Sequence, residues 1–227
     1  MAKKTFFITA TDIAAGKTFI SQALLIAAKD QGLSCFALKP VAAGCETTEQ
    51  GLRNDDVLKL QQVASIKLSY QQINPIALEQ AIAPHVAAKR ENKQISLPRI
   101  VGVCNGALMN RADLVLVEGA GGWRVPLNNR ETMAGLPKAL NIPVILVVAV
   151  RPGCINHALL SVEAILRDGC TLAGWVANCV DPQMVASEDS IETLQAAIRA
   201  PLIGVVPYLD NKSVDEASSH LQLALIL

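Results

Sequence analysis

The chain has few aromatic residues, no excess charge of either sign and no paired cysteine motif. Phe, Trp and Tyr supply 4% of its 227 residues, whereas hydrophobic residues of all kinds supply 51%. A core of Val, Ile, Leu and Ala favours parallel strands covered by helices on both faces over a β-sandwich. The 20 basic and 20 acidic residues cancel. We therefore expect neither nucleic acid nor a membrane surface as a partner, because no net field attracts either one.

The cysteines and the apolar runs exclude further classes. None of the six cysteines belongs to a CxxC pair, which argues against a structural zinc site and a disulfide framework. Free thiols are typical of a reducing cytoplasm. The apolar stretch after the N terminus is too short for a signal-peptide core, and runs such as residues 144–150 are far shorter than the roughly 20 residues that span a bilayer. We therefore expect a soluble, cytoplasmic protein.

Predicted strands and helices alternate along the chain. Residues 45–54 are polar and are predicted to be a loop, and residues 63–110 to be mostly helical. Alternation of strands and helices favours right-handed crossovers and an α/β fold with a parallel sheet flanked by helices. With no repeat or low-complexity linker, residues 1–227 are predicted to form a single domain. The strands are predicted at residues 5–9, 33–38, 114–117, 144–150, 172–177 and 202–206, and the clearest helices at 17–31 and 55–62.

The segment TDIAAGKT at residues 11–18 connects a predicted strand to a predicted helix. The P-loop pattern GxxxxGK[ST] requires glycine at the position of Thr11, so only the Gly-Lys-Thr end matches. Amides of such a loop surround a polyphosphate, while Lys17 reaches the terminal phosphates and Thr18 ligates Mg²⁺. An ordinary strand–turn–helix connection is the alternative. The flanking strand and helix favour nucleotide binding and a P-loop type of fold.

A second acidic motif follows a buried strand. The sequence LVLVEGAGG at residues 114–122 is an apolar run that ends in Glu118. An acid at the carboxyl end of a parallel strand lies where ligands bind, as the Walker B carboxylate does. The glycines after it would allow the backbone to approach a ligand closely. A strand that simply ends in a glycine-rich turn is the alternative.

Together these motifs resemble the dethiobiotin synthetase family. The resemblance extends over nearly the whole chain, through KPVA at 39–42, GLRNDD at 51–56, VEGAGGW at 117–123, GCINH at 153–157 and GWVAN at 174–178. It implies a homodimeric enzyme that joins CO₂ to 7,8-diaminopelargonate, with ATP and Mg²⁺, to close the ureido ring of dethiobiotin. The steps that it implies are carbamate formation on one amine, phosphorylation of the carbamate, and attack by the second amine with loss of phosphate.

The resemblance also implies roles for individual residues. Lys17 and Lys39 would be catalytic, and Thr18, Asp56 and Glu118 would bind Mg²⁺. The implied ATP site comprises Asp12, Ala14, Ala15, Gly16, Lys17, Thr18, Phe19, Asn178, Pro207, Tyr208 and Leu209. The implied substrate site comprises Lys39, Ala43, Gly121, Gly153, Cys154, Ile155 and Asn156. Residues 153–156 would hold the substrate carboxylate across the dimer interface, although Asn156 as an N-cap of the next helix is an alternative that the sequence leaves open.

Several positions depart from the family pattern. The family usually has GTDTEVGKT, whereas Ala10, Ile13 and Ala14 replace its first glycine, second threonine and glutamate, and Ala43 replaces a frequent serine. The loss of polar contacts to a diamine would weaken or redirect substrate binding. A degenerate paralogue that binds ATP without this substrate is therefore one alternative. A nucleotide-switch ATPase is another, but its loop carries a second lysine where this chain has Asp12.

Overall fold

The strands and helices alternate in a computed structural model that describes residues 3–211 and 213–227. The strands are β1 (Lys4–Ala10), β2 (Cys35–Leu38), β3 (Val41–Ala43), β4 (Glu46–Thr48), β5 (Gly51–Arg53), β6 (Ile76–Leu78), β7 (Leu114–Glu118), β8 (Val144–Val150), β9 (Leu172–Cys179) and β10 (Leu202–Val206). The α-helices are α1 (Lys17–Asp30), α2 (Asp55–Val63), α3 (Tyr70–Ile73), α4 (Pro84–Arg90), α5 (Leu97–Leu108), α6 (Gly135–Leu140), α7 (Cys154–Arg167), α8 (Ser187–Ala197) and α9 (Val214–Ser219), followed by a 3₁₀ turn (Leu223–Leu225).

Six of the strands form one parallel sheet in the order β10-β9-β8-β1-β7-β2. On one side of β1 the sheet continues through β7 to β2, and on the other side it continues through β8 and β9 to β10. The carboxyl ends beside β1 therefore border a crevice of the kind in which open α/β sheets bind ligands. The predicted α/β class with a helix-flanked parallel sheet is confirmed.

Helices cover both faces of this sheet, and β1 shows why. Phe6, Phe7 and Ile8 are each at most 3% exposed. Phe7 packs into one buried apolar cluster, whereas Phe6 and Ile8 pack into a second one. Because successive side chains of a strand point to opposite faces, the central part of β1 has apolar residues at consecutive positions. The continuous apolar runs of the sequence reflect this two-sided burial.

Two small sheets were not expected from the sequence. Residues 45–54, predicted to be a loop, contain an antiparallel hairpin of β4 and β5. Its first strand is exposed at all three positions, so it lacks the alternation of apolar and polar residues that signals a strand. In the region predicted to be mostly helical, β6 pairs in parallel with β3. These strands have three residues each, which is too short to show a period.

Within residues 3–211 and 213–227, no helix is both long enough and apolar enough to cross a membrane. All six cysteines are free thiols, as predicted, and five of them are buried. Burial raises the pKa of the Cys104 thiol to about 12, so this thiol stays protonated at neutral pH.

Candidate nucleotide and metal site

The loop between β1 and α1 has the backbone of an anion-binding turn. Gly16 caps α1 with a φ of 84°, and a Cβ at this position would lie 2.2 Å from Asn178 Nδ2, so only glycine fits. Ala14 also has a left-handed φ, 59°, a conformation that costs an L-residue about 1–2 kcal/mol. The first turn of α1 contains no acidic residue. Its amides and the positive end of its dipole therefore favour an anion.

Lys17, the first residue of α1, is a buried and weakly paired cation. It is 8% exposed, and among the described residues its Nζ hydrogen-bonds only to the backbone oxygen of Asp12, at 3.4 Å. Burial lowers the pKa of Lys17 to about 8, while the charge of Glu118 acts in the opposite direction. A phosphate placed beside this ammonium would replace the solvation that burial removes.

Glu118 ends β7 and lies beneath the phosphate loop. Its side chain is fully buried and accepts three hydrogen bonds. Thr18 Oγ1 and Ser21 Oγ donate to its two oxygens at 2.6 and 2.8 Å, and Lys39 Nζ donates to Oε1 at 2.6 Å. The carboxylate at the end of the strand thus joins the phosphate-loop helix to the residue that follows β2.

Lys39 bridges two carboxylates. It follows Leu38, which pairs with Val117 in the neighbouring strand, so sheet register brings it to Glu118. Its Nζ also lies 3.1 Å from Asp56 Oδ2 at the start of α2. Burial opposes the charge of Lys39, but the two carboxylates outweigh burial and raise its pKa.

The pKa of Asp56 moves in the other direction. Burial alone would raise it, but the charge of the Lys39 ammonium and its hydrogen bond to Asp56 outweigh burial and hold the pKa below its ordinary value. Lys39 and Asp56 therefore stay charged together over the neutral range.

The oxygen atoms of this cluster suit a hard divalent cation. Thr18 and Asp56 line the same cavity, and Thr18 donates to Glu118. Within the described ranges, no group of three or more His, Cys, Asp or Glu side chains is arranged to hold a metal. A pair of carboxylates with one hydroxyl fits Mg²⁺, which usually keeps several waters and shares one or two carboxylates with substrate phosphates.

A cavity of about 1130 Å³ opens beside the loop. Asn178 forms part of its wall, and its Nδ2 donates to the backbone oxygen of Ala15 at 2.9 Å. This side chain therefore ties the carboxyl end of β9 to the phosphate loop. The predicted site residues that line the cavity are Ala14, Gly16, Lys17, Thr18, Phe19, Lys39, Ala43, Asp56, Gly121, Asn178, Pro207, Tyr208 and Leu209.

Other predicted residues lie outside the cavity lining. Three of them contact residues that line the cavity: Asp12 contacts Lys17, Ala15 contacts Asn178, and Glu118 contacts Lys39. Residues 153–156 do not line the cavity of this chain. Gly153, with a φ of 87°, is the N-cap of α7, and Asn156 lies inside the first helical turn. The alternative prediction of Asn156 as an N-cap is therefore wrong, because α7 begins at Cys154 and the cap position belongs to Gly153.

Sequence reasoning missed two residues of this region. Ser21 shares Glu118 with Thr18, and their spacing of three positions on one helix was a usable signal. Arg151, directly after β8, forms an ion pair of 2.6 Å with Asp12. That contact joins the phosphate loop to the segment before Gly153, and only the pairing of β1 with β8 shows that the two loops meet.

The fold and this site define a P-loop, nucleotide-binding α/β protein. The chain matches the family described as AAA domain over residues 4–215. It is 56% identical to the ATP-dependent dethiobiotin synthetase BioD of Cellvibrio japonicus over 227 residues, which cover 100% of this chain and 99% of that one. It is 54% identical to the same synthetase of Marinobacter nauticus, with coverage of 97% and 95%. The chain therefore belongs to the ATP-dependent dethiobiotin synthetase family.

Solved structures with much lower identity share the fold. The signal recognition particle receptor FtsY of Elizabethkingia anophelis is 13% identical, with a TM-score of 0.56 over 97% of this chain and 66% of that one. The septum site-determining protein MinD of Pyrococcus horikoshii, complexed with Mg-ADP, is 14% identical, with a TM-score of 0.52 over 98% and 94%. At these identities the likeness shows the P-loop fold alone.

Proposed function

We propose that this protein is an ATP-dependent dethiobiotin synthetase that joins CO₂ to 7,8-diaminopelargonate and closes the ureido ring. The observation that carries this proposal is the cluster of Lys39, Glu118, Asp56 and Thr18 beside the phosphate loop, in a chain 56% identical to a relative of that name. A nucleotide switch carries its second lysine in the phosphate loop, where this chain has Asp12, whereas this chain places a second buried lysine, Lys39, at the phosphate end of the cavity. The reaction needs one, because charge develops there on the transferred phosphoryl group.

ATP binds in the cavity with its phosphates at the start of α1. The amides of the loop and the ammonium of Lys17 hold the phosphates, and Asn178, which lines the same cavity, would read the adenine edge on this proposal. Pro207, Tyr208 and Leu209 line the same cavity and would complete the adenine pocket. When bound, Mg²⁺ would neutralise phosphate charge, and Thr18, Asp56 and Glu118 are the residues that would hold it.

The reaction proceeds in three steps on this proposal. One amine of the substrate adds to CO₂ and loses a proton, which gives a carbamate. A carbamate oxygen then attacks the γ-phosphorus of ATP, and ADP leaves. The second amine attacks the carbamate carbon and loses a proton, and phosphate leaves as the ring closes. Lys17 and Lys39 stabilise the charge that develops on the transferred group, so positioning and electrostatics supply the catalysis.

A second subunit completes the site on this proposal. The amides at the start of α7 form an anion-binding terminus, with Gly153 and Asn156 exposed on it, and it lies outside the cavity lining of its own chain. Residues 153–156 of one subunit would hold the substrate carboxylate while Lys17 and Lys39 of the other act on phosphate. A two-fold dimer contains two such sites.

The free thiols and the balanced charge also support a cytoplasmic location.

The catalytic proposal is tested by phosphate release with 7,8-diaminopelargonate, bicarbonate, Mg²⁺ and ATP, omitting each in turn, and by mass detection of dethiobiotin. Loss of product on every omission supports it. Binding of ATP with no dethiobiotin formed would identify a degenerate paralogue and overturn the proposal.

The composite site is tested by mixing two inactive variants, Lys17→Ala and Asn156→Asp. The mixed dimer would contain one intact site, so activity should return. If mass measurement confirms subunit exchange and no activity returns, both groups serve the same subunit's site.

A further inference from the structure

A buried chain of hydrogen bonds connects the start of α2 to the backbone of Lys39. The N–H of Asn54 donates to the hydroxyl oxygen of Tyr70 at 2.7 Å, and this hydroxyl donates to Asn74 Oδ1 at 3.3 Å. Asn74 Nδ2 then donates to the backbone oxygen of Lys39 at 2.7 Å. Tyr70 and Asn74 lie at the two ends of the short helix α3, so this helix connects two segments that are distant in sequence.

Both ends of this chain adjoin charged groups of the candidate site. Asn54 is the N-cap of α2, and Asp56 lies in the first turn of that helix. At the other end, the backbone of Lys39 is held on both sides, because its N–H donates to the oxygen of Ile73 at 3.0 Å while its oxygen accepts from Asn74. The segment that contains α3 therefore contacts both the backbone of Lys39 and the start of α2. These two segments carry the ion pair in which Lys39 Nζ lies 3.1 Å from Asp56 Oδ2.

The residues of this chain of hydrogen bonds are buried and held in place by local contacts. Asn54, Tyr70 and Asn74 are 8, 7 and 3% exposed. Burial raises the pKa of Tyr70, so its hydroxyl remains a donor at neutral pH, and the Arg53 guanidinium lies 4.2 Å from the centre of its ring. A capping box of Ser69 and Gln72 fixes the start of α3. In such low-dielectric surroundings, removal of one hydroxyl leaves its partners unsatisfied and allows them to move.

We propose that Tyr70 and Asn74 are positioning residues that set the place of Lys39 relative to Asp56. Neither side chain touches the reacting atoms, and both act through the backbone that they hold. This inference rests on the proposed function, because it assigns the geometry of the same site. Partners that orient a metal or phosphate ligand typically change affinity or rate by about 10–100-fold when they are lost.

The test compares Tyr70→Phe and Asn74→Leu with the control Ser65→Ala. Ser65 also holds a strand of the sheet, since its Oγ accepts from the N–H of Cys35 at 2.7 Å, but it does so at the amino end of β2, away from the cavity. All three variants lose a side-chain hydrogen bond to the backbone, which is buried at Tyr70 and Asn74 and partly buried at Ser65. Only the first two are expected to disturb Lys39 and Asp56.

Three quantities distinguish positioning from a purely structural role. In Tyr70→Phe and Asn74→Leu, kcat for dethiobiotin should fall roughly tenfold or more, while the KM for ATP stays within about twofold because the phosphate loop and Asn178 are intact. The affinity of the ATP-bound protein for Mn²⁺, measured by electron paramagnetic resonance, should fall by a similar factor. Ser65→Ala should also lose thermal stability, through its hydrogen bond to β2, but should keep kcat and Mn²⁺ affinity.

The proposal is overturned if the folded Tyr70→Phe and Asn74→Leu proteins keep both kcat and Mn²⁺ affinity, since the hydrogen bonds would then contribute to stability alone. Failure of the proposed function gives a different result. In that case the unsubstituted protein makes no dethiobiotin, and the Mn²⁺ affinities of the nucleotide-bound variants still decide whether Tyr70 and Asn74 position the site.

Discussion

Replacing either Lys39 or Glu118 alone with an uncharged residue is expected to destabilise the protein far more than replacing both. The side chains are 7 and 0% exposed, and Nζ lies 2.6 Å from Oε1. Removal of one partner of a buried pair leaves a desolvated charge, which typically costs about 3–5 kcal/mol. Replacement of both partners by groups of similar volume leaves no such charge and is often nearly neutral.

The structure places the single variants at the lower end of that range. In Glu118→Gln, Lys39 keeps Asp56 at 3.1 Å. In Lys39→Met, Glu118 keeps the hydroxyl groups of Thr18 and Ser21. We therefore expect each to lose about 3 kcal/mol of unfolding free energy, which is a fall in Tm of roughly 6–12 °C for a chain of this size. The double variant should stay within about 1 kcal/mol of the unsubstituted protein.

Urea denaturation at pH 7 without nucleotide or metal measures these values, because ligands that bind only the folded state would hide them. A matched control is the exposed pair of Lys59 and Asp55, 2.5 Å apart on the surface of α2. Lys59→Met with Asp55→Asn should change stability by less than about 1 kcal/mol in any combination. If the Lys39→Met/Glu118→Gln protein instead loses the sum of the two single effects, the charges do not compensate each other and the reasoning fails.

Three further predictions concern ligands. ATP affinity should fall as the pH rises through about 8, because phosphate binds the protonated form of Lys17; calorimetry in buffers of different ionisation enthalpy should detect proton uptake, and Lys17→Ala should abolish it together with turnover. Asp56→Asn should raise the Mg²⁺ requirement about tenfold or more and Asp55→Asn only slightly, and the reverse order in Mg²⁺ titrations would move the metal ligand to Asp55. Ala14→Glu should lower the KM for the diamine several-fold by pairing with an amine, whereas an unchanged or higher KM would indicate a site rebuilt around alanine.

The sequence predicted the large sheet because its strands are buried on both faces. Residues 144–150 and 202–206 were predicted with the bounds that the structure has, since continuous apolar runs end abruptly at polar or proline-containing turns. The hairpin of β4 and β5 escaped prediction because exposed polar residues carry no periodic signal. The hairpin forms through backbone hydrogen bonds between its two strands, and the types of side chain in a strand predict such pairing only weakly.

The candidate site was predictable where a short motif encodes it. Lys17 and Thr18 belong to one such motif, and Glu118 ends a recognisable strand. Lys39 drew attention only through family resemblance, because its approach to Glu118 depends on the adjacency of β2 and β7, which strand order alone establishes. Tyr70 acts through hydrogen bonds across 16 positions of sequence to Asn54, and no local pattern marks such a pair.

The two lysines of the site have opposite pKa shifts, and this difference separates their pH ranges. Lys39 has a raised pKa, so the stability of its ion pairs is fully present below its ordinary value of 10.5 and is lost only as the pH rises through the higher folded value. Asp56 has a lowered pKa, so its contribution is present above its ordinary value of 3.8 and is lost as the pH falls through the lower folded value. Lys17, with a pKa of about 8, is the first of these groups to change charge as the pH rises from neutrality. Among these three groups, a loss of ATP binding near pH 8 is therefore expected to arise at Lys17, while Lys39 and Asp56 keep their charges.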